Sequence, residues 1–188
     1  MLLPVLALGD ACLFPESSLE VTVPPVALRP VEVARRCGDR LLVVALRESG
    51  GQEMCDVGTV ARLVEYHLVA EGGARLELDG EARARKVSVV GVECPLAEVQ
   101  PLPEGEAGAA FSDAVEALAR FVHAHQKLRT FLEQRRRSQE PMAWVNMVCQ
   151  HLPIKLATRQ SLLEADAPER CQKVGRVLEA LLKKEQGP

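Results

Sequence analysis

Short apolar segments separated by turn residues fill the first hundred positions of the chain. Some segments alternate between apolar and polar residues and others are brief apolar runs, and both patterns are typical of strands. The predicted strands cover residues 4–8, 19–23, 41–46, 57–66, 75–78 and 82–90, with a further one in 92–99. A short helix is predicted from Pro30, between the second and third strands, because proline is accepted in a first helical turn.

Turn residues interrupt these strands at short intervals. Gly9-Asp10 ends the first strand, the Gly72-Gly73 pair predicts a hairpin, and Asp79-Gly80 predicts another turn. Leu13-Phe14-Pro15 is apolar, and we expect it to form a buried plug beside the end of the first strand. Many short strands with frequent turns predict a closed or strongly curved antiparallel sheet.

The hydrophobic period changes after the proline-rich segment 100–106. Apolar positions then recur every three or four residues, which predicts a long helix. Its stripe contains Phe111, Val115, Leu118, Val122, His125, Arg129 and Leu132.

Three further helices follow in the predicted helical half. The first starts after Pro141 and ends at Leu152-Pro153, the second covers 157–164, and the third starts at Asp166, with Glu169 completing a capping box. The expected class is therefore α+β, and its two parts are a β subdomain and a helical subdomain, at 1–103 and 104–188.

The charge and aromatic content disfavour nucleic-acid binding. Only 3% of the 188 residues are aromatic, and the formal net charge is −3. Acidic residues outnumber Lys and Arg by 15 to 10 in residues 1–100, where a phosphate-binding surface would need the reverse. We interpret the basic run Arg135-Arg136-Arg137 as the solvated end of a helix.

The cysteines and histidines do not predict a metal site. The six cysteines include no CxxC pair, so most are expected to be small buried apolar side chains. His123 and His125 are separated by about 200° on a helix, so they cannot close on one ion. Residues 1–4 lack the features of a secretion signal and no segment is long enough to span a membrane, so a cytoplasmic protein is expected.

No catalytic or cofactor motif is evident. Phosphate-binding glycine loops, the zinc-peptidase HExxH and the nucleophile-elbow GxSxG do not occur, so we expect neither an enzyme nor a cofactor. Trp144 is the one large anchor residue. It has two interpretations, a core residue or an interface hot spot, and its place on an apolar helical stripe favours the core.

Several segments resemble the N-terminal domain of Lon proteases in order and approximate spacing. The first carries LPVLALGD before Leu13-Phe14-Pro15, although Gly9 stands where the family usually has Arg and Glu16 where Gly is common. The others are 39–45, 57–61, 78–85, 151–157, 160–164 and Glu169-Arg170.

This resemblance implies a PUA-like antiparallel β-barrel followed by an α-helical bundle. It also implies a non-catalytic module that recognises unfolded polypeptide or a specific protein partner, as a regulator or adaptor of proteolysis. A full-length Lon protease is one expected partner, self-association is another expectation, and RNA binding is the alternative. Because the sequence ends at Pro188, we expect a stand-alone domain that lacks the ATPase and the protease of full-length Lon.

Recognition of polypeptide needs exposed apolar surface and unpaired strand edges. We expect such a surface at the junction of barrel and helices. The candidate residues near the barrel loops are Phe14, Tyr66 and Leu68.

Overall fold

The computed structural model describes residues 1–47, 53–70, 72–124 and 140–185. Within these ranges six strands come first, with one α-helix among them, and four α-helices follow. The strands are β1 Leu2–Leu8, β2 Ser18–Val23, β3 Arg40–Ala45, β4 Val57–Leu68, β5 Ala74–Val90 and β6 Leu96–Pro101. The helices are α1 Leu28–Arg36, α2 Ala109–Ala124, α3 Pro141–His151, α4 Leu156–Glu164 and α5 Ala167–Glu185.

The strands form a closed ring in the order β2-β5-β4-β3-β1-β6, which a pairing between β6 and β5 completes. The expected barrel and helical bundle are therefore present, although the ring is irregular. β1 and β3 pair in parallel, unlike the all-antiparallel sheet that the turns predicted. This pair can be parallel because the chain between them passes through β2 and α1, a connection long enough for a crossover.

The predicted turn at Asp79-Gly80 is wrong, because β5 runs without a break from Ala74 to Val90. Gly80 has a different role. A Cβ at this position would lie 2.2 Å from the carbonyl oxygen of Phe14. The Gly80 N–H donates to the Ser17 carbonyl (2.9 Å), and the Glu16 N–H donates to the Gly80 carbonyl (2.7 Å). The glycine thus allows another backbone segment to approach the strand closely.

The segment that lies against Gly80 is the predicted plug, and its burial is confirmed. Leu13, Phe14 and Pro15 are all buried, and Phe14 has no exposed surface. The Thr59 hydroxyl donates to the Leu13 carbonyl (2.6 Å), and the Phe14 N–H donates to the Gln150 side-chain oxygen (3.0 Å). The plug is therefore bound to both β4 and α3.

Apolar side chains form three clusters, because β1 and β3 bury apolar side chains on both of their faces. One face of these strands contributes Leu6 and Leu41 to a core that α1 covers with Val31. The other face contributes Val5 and Leu42 to a core shared with β5 and β6. A third cluster fills the helical part and includes Phe14, so the plug joins the strands to the helices.

The helical predictions are largely confirmed. α3 starts at Pro141 and ends before Leu152, and Trp144 on it is a core residue, 5% exposed, with its ring 5.9 Å from that of Phe111. The Asp166 carboxylate accepts from the Glu169 N–H (3.0 Å). The Glu169 carboxylate instead lies 3.1 Å from the Lys173 ammonium, so the reciprocal half of the predicted capping box does not form.

Parts of the predicted long helix cannot be compared with the structure. α2 begins at Ala109 and includes His123. His125 and the basic run Arg135-Arg136-Arg137 lie outside the described residues. None of the helices within the described ranges is long and apolar enough to cross a membrane.

Four of the six cysteines are buried and all six are free thiols. Burial raises the pKa of Cys12 and Cys149 to about 12 and that of Cys171 to about 11. These thiols stay protonated in the folded state at neutral pH, and they pack as small apolar groups. Cys37, at the end of α1, is exposed.

Replacement of Gly80 by Ala is expected to lower the free energy of unfolding by about 3 kcal/mol, because the added methyl group would force the plug away from β5. Urea denaturation followed by circular dichroism measures the change. Gly9→Ala is the matched control, since a Cβ there meets nothing within 4 Å. Equal effects of the two substitutions would contradict this role of Gly80.

In the folded protein at pH 8, Cys37 is expected to react fastest with a disulfide reagent, since Cys12, Cys149 and Cys171 are buried thiols with raised pKa values. A stopped-flow trace should lose its fast phase in Cys37→Ser. All six thiols should react after unfolding in urea. Fast modification of the buried thiols without unfolding would disprove the packing described above.

Candidate functional site

Two buried arginines hold the strands against the helices. Arg83 lies on β5 and is 3% exposed, and Arg170 lies on α5 and has no exposed surface. Arg83 donates from Nε to Glu104 (2.9 Å) and from Nη1 to the carbonyls of Leu163 (3.0 Å) and Ala165 (2.7 Å).

Arg170 completes the same network from the helical side. It donates to the carbonyls of Leu162 (2.9 Å) and Ala165 (2.9 Å), and also to the side chains of Glu104 and Asn146. The accepting carbonyls belong to the last turn of α4 and the residue after it, where a helix has unpaired carbonyls and partial negative charge. The guanidinium groups therefore cap α4.

Glu104 is the acidic partner common to both arginines, so the network has one carboxylate for two cations. Burial and the nearby charge of Arg170 lower the pKa of Arg83, although an arginine stays protonated at neutral pH. The backbone carbonyls supply the remaining compensation. We call the group formed by Arg83, Glu104, Asn146 and Arg170 the junction network.

The junction between strands and helices is consequently filled rather than open. Phe14, a sequence-predicted binding residue, lies inside it with no exposed surface, so in this structure it serves the core. Gln160 of α4 also donates to the Val57 carbonyl of β4 (2.9 Å). The surface available for a ligand must therefore be sought elsewhere.

Tyr66 and Leu68 lie on a free edge at the end of β4. β3 pairs with β4 from Thr59 to Arg62, and the Leu63 N–H donates to the Asp39 carbonyl (2.8 Å). Beyond this point no described residue pairs with the outer edge of β4. A bulge between Leu63 and Glu65 shifts the register there and leaves Val64 46% exposed.

The direction of the backbone groups follows from the pairing with β5. The Val69 N–H donates to the Gly73 carbonyl (3.0 Å), while Leu68 lies opposite Ala74. This arrangement makes Leu68 and Tyr66 the non-hydrogen-bonded positions of the antiparallel pair. Their N–H and C=O groups therefore point away from β5, towards the free edge.

The side chains of these two residues face the core side of the sheet. Tyr66 lies opposite the buried Leu76 and is half-buried. Leu68 lies opposite the buried Ala74 but beyond the edge of the core, so it is 69% exposed. Unpaired backbone and exposed apolar side chain thus occur at the same position. We call residues 64–68 of this strand the β4 edge.

Helix α1 borders the β4 edge. The Arg35 guanidinium lies 4.4 Å from the centre of the Tyr66 ring, a cation–π contact that holds the ring in place. Glu32, Arg35, Arg36 and Tyr66 line an open depression of about 360 Å³ beside it. Neither Arg35 nor Arg36 forms an ion pair with a described residue, whereas Glu32 lies 3.8 Å from Arg29.

A second free edge belongs to β2, which pairs with β5 alone among the described strands. The hydrogen bond from Gly80 to Ser17 places the backbone groups of Ser18, Glu20 and Thr22 on the outer side of β2. Their side chains lie on the polar face of the sheet, where Glu20 and Glu65 both lie opposite Glu77. Arg75 lies in the same row and pairs with Glu20, so this edge has a charged rather than an apolar border.

The arrangement of strands, plug and helices has known counterparts. A family model described as the ATP-dependent protease La (Lon) substrate-binding domain matches residues 2–180. The chain belongs to this family. The N-terminal domain of a Lon protease from the Mycobacterium avium complex superposes with a TM-score of 0.83 at 20% identity, covering 95% of this chain and 98% of that one.

Other Lon proteins give the same result. A Lon N-terminal domain protein from Xanthomonas campestris superposes with a TM-score of 0.62 at 22% identity, over 97% of this chain and 98% of that one. The Lon protease of Escherichia coli K12 is 23% identical over 192 residues, which cover 95% of this chain and 24% of that protein. The present chain thus spans about a quarter of the length of that relative.

Two of the segments that resemble Lon contain the buried arginines. Arg83 and Arg170, within the segments 78–85 and Glu169-Arg170 that resemble Lon, are the two cations of the junction network. The edge of β2 was not predicted, because strand pairing beyond the hairpins is not evident from local sequence. Arg35 and Arg36 were not predicted, because the packing of α1 beside Tyr66 is not evident from it either.

Arg170→Met is expected to lower the free energy of unfolding by about 3 kcal/mol, because Glu104 and the α4 carbonyls lose a buried partner. Urea denaturation measures the loss. Arg120→Met, which removes an exposed pair with Glu179 (3.2 Å), is the control and should cost less than about 1 kcal/mol. A loss no larger for Arg170 than for Arg120 would show that the network does not hold the two parts together.

Proposed function

We propose that this Lon-family domain is a non-catalytic, cytoplasmic module that binds polypeptide through the β4 edge. The observation that carries the proposal is the coincidence, at Tyr66 and Leu68, of outward-pointing backbone groups with apolar side chains. Membership of the Lon substrate-binding domain family supports the same class of ligand. The ligand we propose is an unfolded segment or an extended segment of a protein partner.

The chemistry of the β4 edge suits a ligand that varies in sequence. Backbone hydrogen bonds are available from any extended chain, since every residue except proline offers both N–H and C=O. Leu68 adds apolar contact area at a position where it is 69% exposed, and Tyr66 adds a ring that Arg35 already orients. Affinity then depends on extended, apolar character more than on any one reactive group.

The same binding supports a regulatory or adaptor role in proteolysis. A domain that holds an unfolded segment can deliver it to a full-length Lon protease or can withhold it. We propose a full-length Lon protease as a functional partner on the basis of the shared domain. Addition of this protein should change the rate at which such a protease degrades an unfolded substrate.

Titration with a fluorescently labelled, permanently unfolded casein tests the binding function. We expect saturable binding, and we expect Leu68→Asp to weaken it about tenfold, because a carboxylate would replace apolar contact area. Val92→Asp is the matched control, since Val92 is 98% exposed and lies away from the β4 edge in the turn between β5 and β6. It should leave the dissociation constant unchanged.

No binding of casein by the unmodified protein would disprove the proposed function. Retention of a single-stranded RNA, with an affinity that falls steeply as salt is raised, would favour the RNA-binding alternative. If Leu68→Asp and Val92→Asp weaken casein binding equally, the proposed function stands but the β4 edge is not the binding site.

A further inference from the structure

We propose that the ligand adds as an extra strand to the β4 edge and that its preferred sequence contains a carboxylate two residues away from an apolar side chain. This inference rests on the proposed polypeptide-binding function and names the chemistry of the ligand. It follows from the positions of Tyr66 and Leu68 relative to the arginines of α1.

Backbone pairing fixes the register of such a strand. Tyr66 and Leu68 are the two positions whose N–H and C=O groups point outward, so a strand that adds antiparallel to β4 pairs with these residues and can form four hydrogen bonds with them. Residues opposite Tyr66 and Leu68 share their face of the sheet, because cross-strand neighbours lie side by side. Two alternate side chains of the ligand therefore lie on the side of α1.

The two ligand positions meet different surroundings. The side chain opposite Leu68 packs against an apolar group that is otherwise 69% exposed. The side chain opposite Tyr66 lies next to the depression of about 360 Å³ lined by Glu32, Arg35 and Arg36. Glu32 is already paired with Arg29, so the arginines supply an excess of positive charge there.

Charge complementarity therefore selects a carboxylate opposite Tyr66. Arg35 and Arg36 are exposed and lack ion-pair partners among the described residues. A glutamate of the ligand can reach a guanidinium at the border of this depression and form a charge-assisted hydrogen bond. The outer edge of β2 has a different border, in which Glu20 is paired with Arg75 and lies opposite Glu77, so it offers the ligand carboxylate no excess of positive charge.

A synthetic peptide distinguishes this binding mode from general apolar adhesion. The probe is a short, capped peptide of alternating threonine and valine with glutamate at one central valine position. N-methylation of the residues that face Tyr66 and Leu68 blocks their N–H groups, and we expect about a tenfold loss of affinity. N-methylation of the intervening residues, whose N–H groups face solvent, should preserve binding.

Protein variants test the same register from the other side. Leu68→Pro removes an outward N–H that β5 does not use, and we expect it to abolish peptide binding while the fold is retained, since proline is accepted at a strand edge. Thr22→Pro removes the corresponding outward group of β2 and is the matched control. Circular dichroism verifies that both variants fold.

The charge preference has its own test. Arg36→Glu should weaken binding of the glutamate peptide about fivefold, because the charge of the depression is reversed. The same variant should bind a peptide with lysine at that position more tightly. Arg85→Glu, at an exposed arginine further along β5, is the control.

Equal affinities for the glutamate and lysine peptides, or equal losses from Leu68→Pro and Thr22→Pro, would overturn the inference. If Leu68→Pro misfolds, the N-methylated peptides still decide between the two modes. If the protein binds casein but none of the peptides, strand addition is disproved and the proposed polypeptide-binding function stands.

Discussion

The junction network is the interaction on which the relative position of strands and helices depends. Arg83 belongs to the strands and Arg170 to the last helix, and both bind the carbonyls at the end of α4 as well as Glu104. Charges this deeply buried are stable only when each donor has a partner, so the geometry tolerates little displacement. The plug adds an apolar contact beside it, because Phe14 belongs to the helical core while its carbonyl lies against Gly80.

Local features of the fold were predictable from sequence, whereas features that depend on distant residues were not. The prediction of a hairpin at Gly72-Gly73 was correct, because the positive φ at Gly72 is a requirement of the local turn. The turn at Asp79-Gly80 was wrong because glycine also serves where another backbone approaches a strand. The capping box was half correct, since Lys173, one turn further along α5, attracts the Glu169 carboxylate. The parallel pairing of β1 and β3 depends on a crossover that no local pattern shows.

The residues of the candidate site also divide into those that the sequence predicted and those that depend on distant parts of the chain. Tyr66 and Leu68 were identified from their position near a predicted barrel loop, and the structure places them on an unpaired edge. Phe14 was identified by the same reasoning but lies in the core, because α3 covers the plug. Arg35 and Arg36 escaped notice since their proximity to Tyr66 depends on how α1 packs against the sheet. The sequence therefore indicated which side chains are apolar, but it could not show which of them are exposed.

The pairing of β5 with three other strands affects the order in which the chain folds. One edge of this strand is shared by β2, which pairs along residues 74–79, and by β6, which pairs along residues 84–90. The segments that meet there are separated by most of the strand region, so their contacts close long loops and carry a high entropic cost. The β4–β5 hairpin needs only a short loop and can serve as the template. Slow docking of the amino-terminal strands onto that early hairpin would make the nascent chain dependent on residues synthesised much later.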